Sequence, residues 1–182
     1  MEPRDAVFTT LTTALVVLGL VFAATPALPA SLEVTGSGTA ETNCLATLEP
    51  GCTGTATGQA TGTPITEGTF VFRFDTGSPA SLNGYPFGGA AGAPQGVCLP
   101  ASSSGRLTVA ASGDTIDFNH AGTVCEEATP GSPYLYHGTY RITGGTGMFS
   151  TAGGGGSVTA TFSRDSTSGD SHVVFFNLHG SY

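Results

Sequence analysis

The chain contains no tryptophan and no lysine, and only 10% of its 182 residues are charged. Without lysine, Schiff-base chemistry and the lysine-dependent phosphate-binding loop are both excluded. The Gly-x-Ser-x-Gly motif of many esterases and the Gly-x-Gly-x-x-Gly motif of dinucleotide-binding folds are also absent. No two cysteines have the close spacing typical of a zinc site, so we expect no metal and no cofactor. The sequence therefore assigns no catalytic residue.

Apolar residues at the three- and four-residue spacing of an amphipathic helix are also missing beyond residue 30. Short β-rich segments recur instead, separated by stretches rich in the chain's 28 glycines. The predicted strands are 32–39, 53–60, 68–75, 105–111, 115–121, 134–143, 156–163 and 172–181. We predict an all-β fold, an antiparallel and roughly eight-stranded closed barrel. The segment 77–96, rich in glycine, alanine and proline, is predicted to be an irregular loop over one mouth of that barrel.

Residues 1–30 have the pattern of a secretory signal peptide. The apolar run from Ala14 to Ala24 is too short to span a bilayer, which takes roughly 20 residues. Small residues and prolines follow it, and cleavage is predicted after Ala27 or Ala30. Acidic residues beside the first arginine are atypical, so a misplaced start or an uncleaved anchor are alternatives. We expect a secreted, extracellular protein without stable membrane insertion after cleavage.

The remaining segment, residues 31–182, has the size of one ordinary domain and is predicted to form the single barrel. The chain's net charge is −8 at pH 7. A negative surface repels the phosphates of nucleic acids and anionic lipids, so neither is expected as a partner.

Four cysteines, Cys44, Cys52, Cys98 and Cys125, form an even set in a chain bound for an oxidising compartment. Two disulfides are predicted, and four cysteines allow three connectivities. The pairing Cys44–Cys52 with Cys98–Cys125 is favoured, because each bond then closes a loop that flanks strand-like segments.

The best-defined local prediction is a β-hairpin over 105–121. A two-residue turn is placed at Ser112–Gly113 or at Gly113–Asp114, and both choices sort the side chains in the same way. One face carries the apolar side chains Leu107, Val109, Ile116 and Phe118. The other face brings Arg106 and Asp117 within diagonal reach.

Aromatic residues also follow the alternation of a strand. Phe70, Phe72 and Phe74 line up on one side of their strand, where they form either core or the wall of a cavity. Together with Phe118 and Tyr140 they are the candidate ligand-binding residues. A second aromatic stripe consists of Tyr134, Tyr136, Tyr140 and Ile142. The four histidines, His120, His137, His172 and His179, are expected at the surface or rim.

The last predicted strand is apolar on both faces. Val174, Phe176 and Leu178 face one way, and Val173 and Phe175 face the other. Such a strand needs cover on both sides. Two alternatives are open, a homo-oligomer formed through this C-terminal strand and cover by the long loop.

The glycine-rich segment after the second aromatic stripe resembles a motif of the allene oxide cyclase and dirigent β-barrel superfamily, especially its secreted bacterial relatives of unknown role. The matching residues are Tyr140, Ile142, Gly144, Gly145, Thr146, Gly147, Phe149, Ala152, Gly154 and Gly156. The glycines suit a sharp reversal between strands, and Phe149 is predicted to plug the end of the core. The resemblance implies an eight-stranded barrel, often oligomeric, that holds a small apolar molecule. It assigns no catalytic residue here.

These observations predict a secreted barrel that binds a small apolar ligand or acts as an extracellular interaction module, without a conventional active site. One alternative is an isomerase, cyclase or dirigent-like protein acting on a small unsaturated or phenolic substrate. Another is a purely structural cell-surface protein whose barrel is filled by its own side chains.

Overall fold

The computed structural model describes residues 30–43, 50–77, 98–126, 133–164 and 171–182. They form eight strands, which are β1 (Ser31–Thr42), β2 (Thr53–Thr63), β3 (Gly68–Thr76), β4 (Cys98–Val109), β5 (Thr115–Glu126), β6 (Tyr134–Gly145), β7 (Gly155–Arg164) and β8 (Ser171–Ser181). Each strand pairs antiparallel with the next, and β8 pairs with β1 to close the barrel. The predicted fold class is confirmed. Residues 1–29 of the predicted signal segment and nearly all of the predicted loop 77–96 lie outside the described residues.

Strand β2 shows why this composition forms a barrel. Threonines at alternate positions are exposed, whereas Ala56 and Ala60 between them are buried. The β-branched threonine side chain favours an extended backbone, and the small inward residues leave room for the rings of other strands. The same alternation runs through β1, in which Leu32 and Val34 are buried.

The hairpin of β4 and β5 confirms the predicted sorting of faces but corrects its turn. The predicted two-residue turn is wrong, because the loop has four residues, 110–113, between Val109 and Asp114. The Gly113 N–H donates to the Val109 carbonyl, so the loop winds like a helical turn, and Gly113 leaves it with a φ of +74°. Arg106 consequently lies directly opposite Asp117 and forms a salt bridge of 2.6 Å.

One end of the barrel is closed by buried side chains. A 3₁₀ turn, Gly147–Phe149, follows β6 and places Phe149 fully inside the core, which confirms the predicted plug. Ile65, between β2 and β3, is fully buried as well, and the ring of Tyr182 contacts that of Phe149 at 5.5 Å. The short connections β2–β3, β4–β5 and β6–β7 lie at this closed end of the barrel.

The predicted Cys98–Cys125 disulfide is present. The two cysteines are register partners that begin the β4–β5 ladder, so the bond fastens these strands at the opposite end of the barrel. Cys52 is also disulfide-bonded. Its predicted partner, Cys44, lies outside the described residues.

On the outer face of β8 the large apolar side chain of Phe175 lies in solvent, and the side chain of Val173 lies outside those described. Phe175 is 56% exposed, and its register partners are Ser37 in β1 and Thr161 in β7. The inward residues Val174, Phe176 and Leu178 are buried, as the alternation predicts. A subunit contact through this strand stays a prediction.

Candidate functional site

The barrel interior is divided into a filled half and a half that contains a cavity. In the filled half, Phe70 packs edge-on against Phe176 with ring centroids 4.6 Å apart, and Phe118 packs against Tyr140 at 5.9 Å. All four side chains are buried. The rings fit because the walls facing them carry glycine. The Cβ of an alanine at position 36, for example, would overlap the Cε1 and Cζ atoms of the Phe176 ring.

The other half holds a cavity of about 50 Å³. It lies at the barrel end opposite Phe149, and we call it the mouth cavity. Four inward-facing alanines on four different strands line it, Ala40, Ala56, Ala101 and Ala160. By this measure one water molecule needs roughly 10–15 Å³, so the free space takes a few waters or one end of a larger molecule.

Aromatic side chains complete its wall. The aromatic lining consists of Phe72, Phe74, Tyr134, Tyr136 and Phe162. Phe74 and Phe162 come from β3 and β7, and their half-buried rings meet at a centroid distance of 5.7 Å. The ring of Phe74 lies over Gly54, where an added Cβ would collide with it. The wall is therefore mainly apolar, which suits an apolar guest.

His120 is the principal polar side chain in this wall. It points inward from β5 and is only 8% exposed. Its Nδ1 lies 2.9 Å from the Tyr136 hydroxyl, and its Nε2 lies 2.8 Å from the Arg73 carbonyl oxygen. The expectation that His120 lies at the surface or rim is wrong, because position 120 continues the inward alternation of Ile116 and Phe118. His137 and His179 are exposed as expected, and the side chain of His172 lies outside those described.

The Arg73 carbonyl is available to His120 because the β3–β4 ladder is interrupted there. Register pairs run as far as Phe72 with Gly105 and resume at Asp75 with Ser102. The intervening Arg73 carbonyl accepts the His120 N–H instead of a β4 N–H. The Arg73 carbonyl is therefore hydrogen-bonded to a side chain inside the barrel, and buried backbone polar groups need such a partner.

Burial sets the protonation of the polar groups. Desolvation lowers the pKa of His120 below its ordinary value of 6.5, and the Arg73 carbonyl opposes this only in part. Desolvation also raises the pKa of the Tyr136 hydroxyl well above its usual range and that of Tyr140 to about 12. At neutral pH, His120 and both tyrosines are therefore uncharged. The Tyr140 hydroxyl has no hydrogen-bond partner among the described residues.

The five predicted ligand-binding residues fall into both halves of the interior. Phe72 and Phe74 line the mouth cavity, whereas Phe70, Phe118 and Tyr140 pack in the filled half. Ligand binding by any of them stays a prediction. Sequence reasoning placed Tyr136 in an aromatic stripe, but it missed His120. The signal for His120 was the period-two alternation of its own strand.

No family model, no curated protein and no solved structure matches this chain. Within the described ranges, no helix has the length and apolar character needed to cross a membrane. No group of three or more histidine, cysteine or acidic side chains in those same ranges is placed to hold a metal ion. The resemblance to the allene oxide cyclase and dirigent superfamily stays a prediction.

Proposed function

We propose that this protein is a secreted β-barrel that binds the apolar end of a small molecule in the mouth cavity. The observation that carries the proposal is the set of four alanines in a lumen that is elsewhere filled by larger apolar and aromatic side chains. Close packing is the rule in protein interiors, so an apolar space lined by small residues and aromatic rings suits a guest. The eight-stranded closed barrel agrees with the architecture that the superfamily resemblance implies.

A second candidate is acid–base catalysis in the same cavity, as an isomerase or cyclase would need. The hydrogen-bonded pair of His120 and Tyr136 favours it, because both groups transfer protons in enzymes. Binding is the better-supported function. An imidazolium at His120 would be desolvated, and the described lining contains no carboxylate to stabilise it.

The purely structural alternative is supported by the filled half of the barrel. It predicts that larger side chains at the four alanine positions improve packing and raise stability. The binding proposal predicts that the same substitutions abolish ligand binding. The two are separated by one experiment, in which binding and stability are measured on the same variants.

The experiment uses 4-fluorotoluene as an apolar probe, with binding followed by ¹⁹F NMR. Ala160→Leu adds three heavy atoms inside the cavity and is expected to abolish binding. Thr159→Leu is the matched control, because Thr159 directly precedes Ala160 in β7 and faces outward. It should bind the probe as the wild type does. Absence of binding to the wild type, or equal binding to Ala160→Leu, would refute the proposal.

Secretion is supported by the apolar run near the amino terminus and by the Cys98–Cys125 disulfide, which persists in oxidising compartments. One hydrogen bond supports the first of the two predicted cleavage positions, the one after Ala27. The Ala30 carbonyl accepts a hydrogen bond of 3.0 Å from the Tyr182 N–H, which extends the β1–β8 ladder. Cleavage after Ala27 keeps that bond, whereas cleavage after Ala30 removes it.

We therefore expect the exported protein to begin at Leu28. Amino-terminal sequencing and intact mass of the protein recovered from the growth medium test this. A start at Ser31 would contradict the preference between the two positions, and retention of residues 1–27 would contradict the proposed signal peptide.

A further inference from the structure

The polar atoms of the mouth cavity specify the chemistry of its ligand. We infer that the cavity presents a hydrogen-bond acceptor, the Tyr136 hydroxyl oxygen, and selects an uncharged molecule with an apolar body and one O–H or N–H donor. The inference rests on the proposed binding function and adds the class of ligand to it.

The direction of hydrogen bonding begins at Arg73. A carbonyl oxygen only accepts, so His120 Nε2, 2.8 Å away, must carry the hydrogen. Burial keeps the imidazole neutral, and a neutral ring with hydrogen on Nε2 has a bare lone pair on Nδ1. Nδ1 is therefore the acceptor in its 2.9 Å contact with Tyr136, and the Tyr136 hydroxyl is the donor.

The Tyr136 hydroxyl thus donates its single hydrogen to His120. What it retains is the lone-pair capacity of its oxygen, which accepts and does not donate. Donation along a chain polarises each member, so this oxygen is a better acceptor than that of an isolated tyrosine. Tyr136 lines the mouth cavity, and its hydroxyl is the polar group that we assign to the ligand.

Two threonine hydroxyls that also line the cavity donate their hydrogens to backbone carbonyls. The Thr42 hydroxyl donates to the Thr53 carbonyl at 3.1 Å, and the Thr76 hydroxyl donates to the Cys52 carbonyl at 3.3 Å. Tyr134 is also engaged in an interaction of its own. A ligand carbonyl, epoxide oxygen or carboxylate placed against the Tyr136 oxygen would meet another acceptor. A buried acceptor without a donor is unfavourable, whereas a ligand hydroxyl or N–H is matched.

The test compares three ring probes of similar size, 4-fluorotoluene, 4-fluorobenzyl alcohol and 4-fluorobenzaldehyde, by ¹⁹F NMR titration of the full barrel. The alcohol donates and accepts, the aldehyde only accepts, and the toluene does neither. We expect the alcohol to bind roughly three to ten times more tightly than the aldehyde, the effect of one net hydrogen bond.

Two variants make the assignment specific. Tyr136→Phe combined with His120→Leu removes both the acceptor and the Nδ1 lone pair that would otherwise replace it, so the alcohol should lose its advantage over the aldehyde. His120→Leu removes the acceptor of the tyrosine hydrogen and frees that hydrogen for the ligand, so the aldehyde should gain affinity and the advantage of the alcohol over it should shrink. A variant that merely loosens the barrel would weaken all three probes together, and 4-fluorotoluene reports this.

The outcomes distinguish the two proposals. If no probe binds the wild type, the binding function itself fails. If 4-fluorotoluene binds but the alcohol and aldehyde bind equally, or if His120→Leu leaves the ratio of their affinities unchanged, the binding function stands and the inference about ligand class is overturned.

Discussion

Replacing Gly105 with alanine is expected to destabilise the barrel, because two aromatic rings occupy the space above this residue. Gly105 lies in β4 between its register partners Phe72 in β3 and Phe118 in β5. The two rings meet edge-on above it, with centroids 5.2 Å apart. An added Cβ would overlap the ring of Phe118 and lie 2.8 Å from Phe72 Cδ1. Both rings are buried, and Phe118 packs against Tyr140 in the filled half, so it has no empty space into which it can move.

The size of the effect follows from this overlap. Forcing an extra carbon into a packed core costs about 1–3 kcal/mol. In a domain of this size, 1 kcal/mol corresponds to a Tm change of about 2–4 °C. We therefore expect Gly105→Ala to lower the Tm by about 3–10 °C, measured by circular dichroism during heating, with the free energy of unfolding taken from urea titration.

Gly144→Ala is the matched control in a neighbouring part of the barrel. No atom lies within 4 Å of the Cβ that it would add. Removing a glycine from a strand then stabilises the fold by roughly 0.5–1 kcal/mol, because the unfolded chain loses conformational freedom. The two substitutions should thus change the Tm in opposite directions.

A double-mutant cycle tests the cause. Phe118→Leu shortens the side chain that the new Cβ would strike, so Gly105→Ala should be less harmful in that background. Residues in contact typically couple by at least about 0.5 kcal/mol. The reasoning is refuted if Gly105→Ala is as stable as Gly144→Ala, or if the effects of Gly105→Ala and Phe118→Leu simply add.

Two further predictions concern pH and the disulfide. Because burial lowers the folded-state pKa of His120 below 6.5, its stabilising contribution is complete above that pH and is lost as the pH falls below it. The free energy of unfolding should therefore fall by up to about 1.4 kcal/mol per pH unit below pH 6.5. In His120→Gln it should fall less steeply. If urea titrations give the same pH dependence of the unfolding free energy for both proteins, this prediction is contradicted. Replacing Cys98 and Cys125 with serine opens a loop with a sequence separation of 27, so we expect a loss of about 3.5 kcal/mol. A loss below about 1 kcal/mol would show that the strand pairing alone fixes this end of the barrel.

Much of the fold was predictable because its signals are local. All eight strands were predicted within a few residues, except that β4 begins at Cys98 and β5 ends at Glu126, well beyond the predicted segments. The missed part of β4, 98–104, is rich in serine and contains alanine and proline, which carry little intrinsic strand preference, and the missed part of β5, 122–126, begins with glycine. Pairing with their neighbours and the Cys98–Cys125 bond hold them extended.

The candidate site was predictable only in part. The inward orientation of Phe72, Phe74 and Tyr136 followed from alternation. The role of His120 did not, because a lone histidine in a strand is more often exposed than buried. The four-residue turn before Asp114 was also missed, since several loop lengths preserve the same sorting of faces.

The sequence by itself determined which side chains face inward and that the chain forms an antiparallel all-β domain, because both follow from a two-residue period that each strand carries alone. Only the tertiary structure decided which inward side chains meet. His120 reaches the Arg73 carbonyl 47 positions away, and Phe74 meets Phe162 across the lumen. These contacts depend on the register and closure of the barrel, which bring distant strands face to face and which no local pattern encodes.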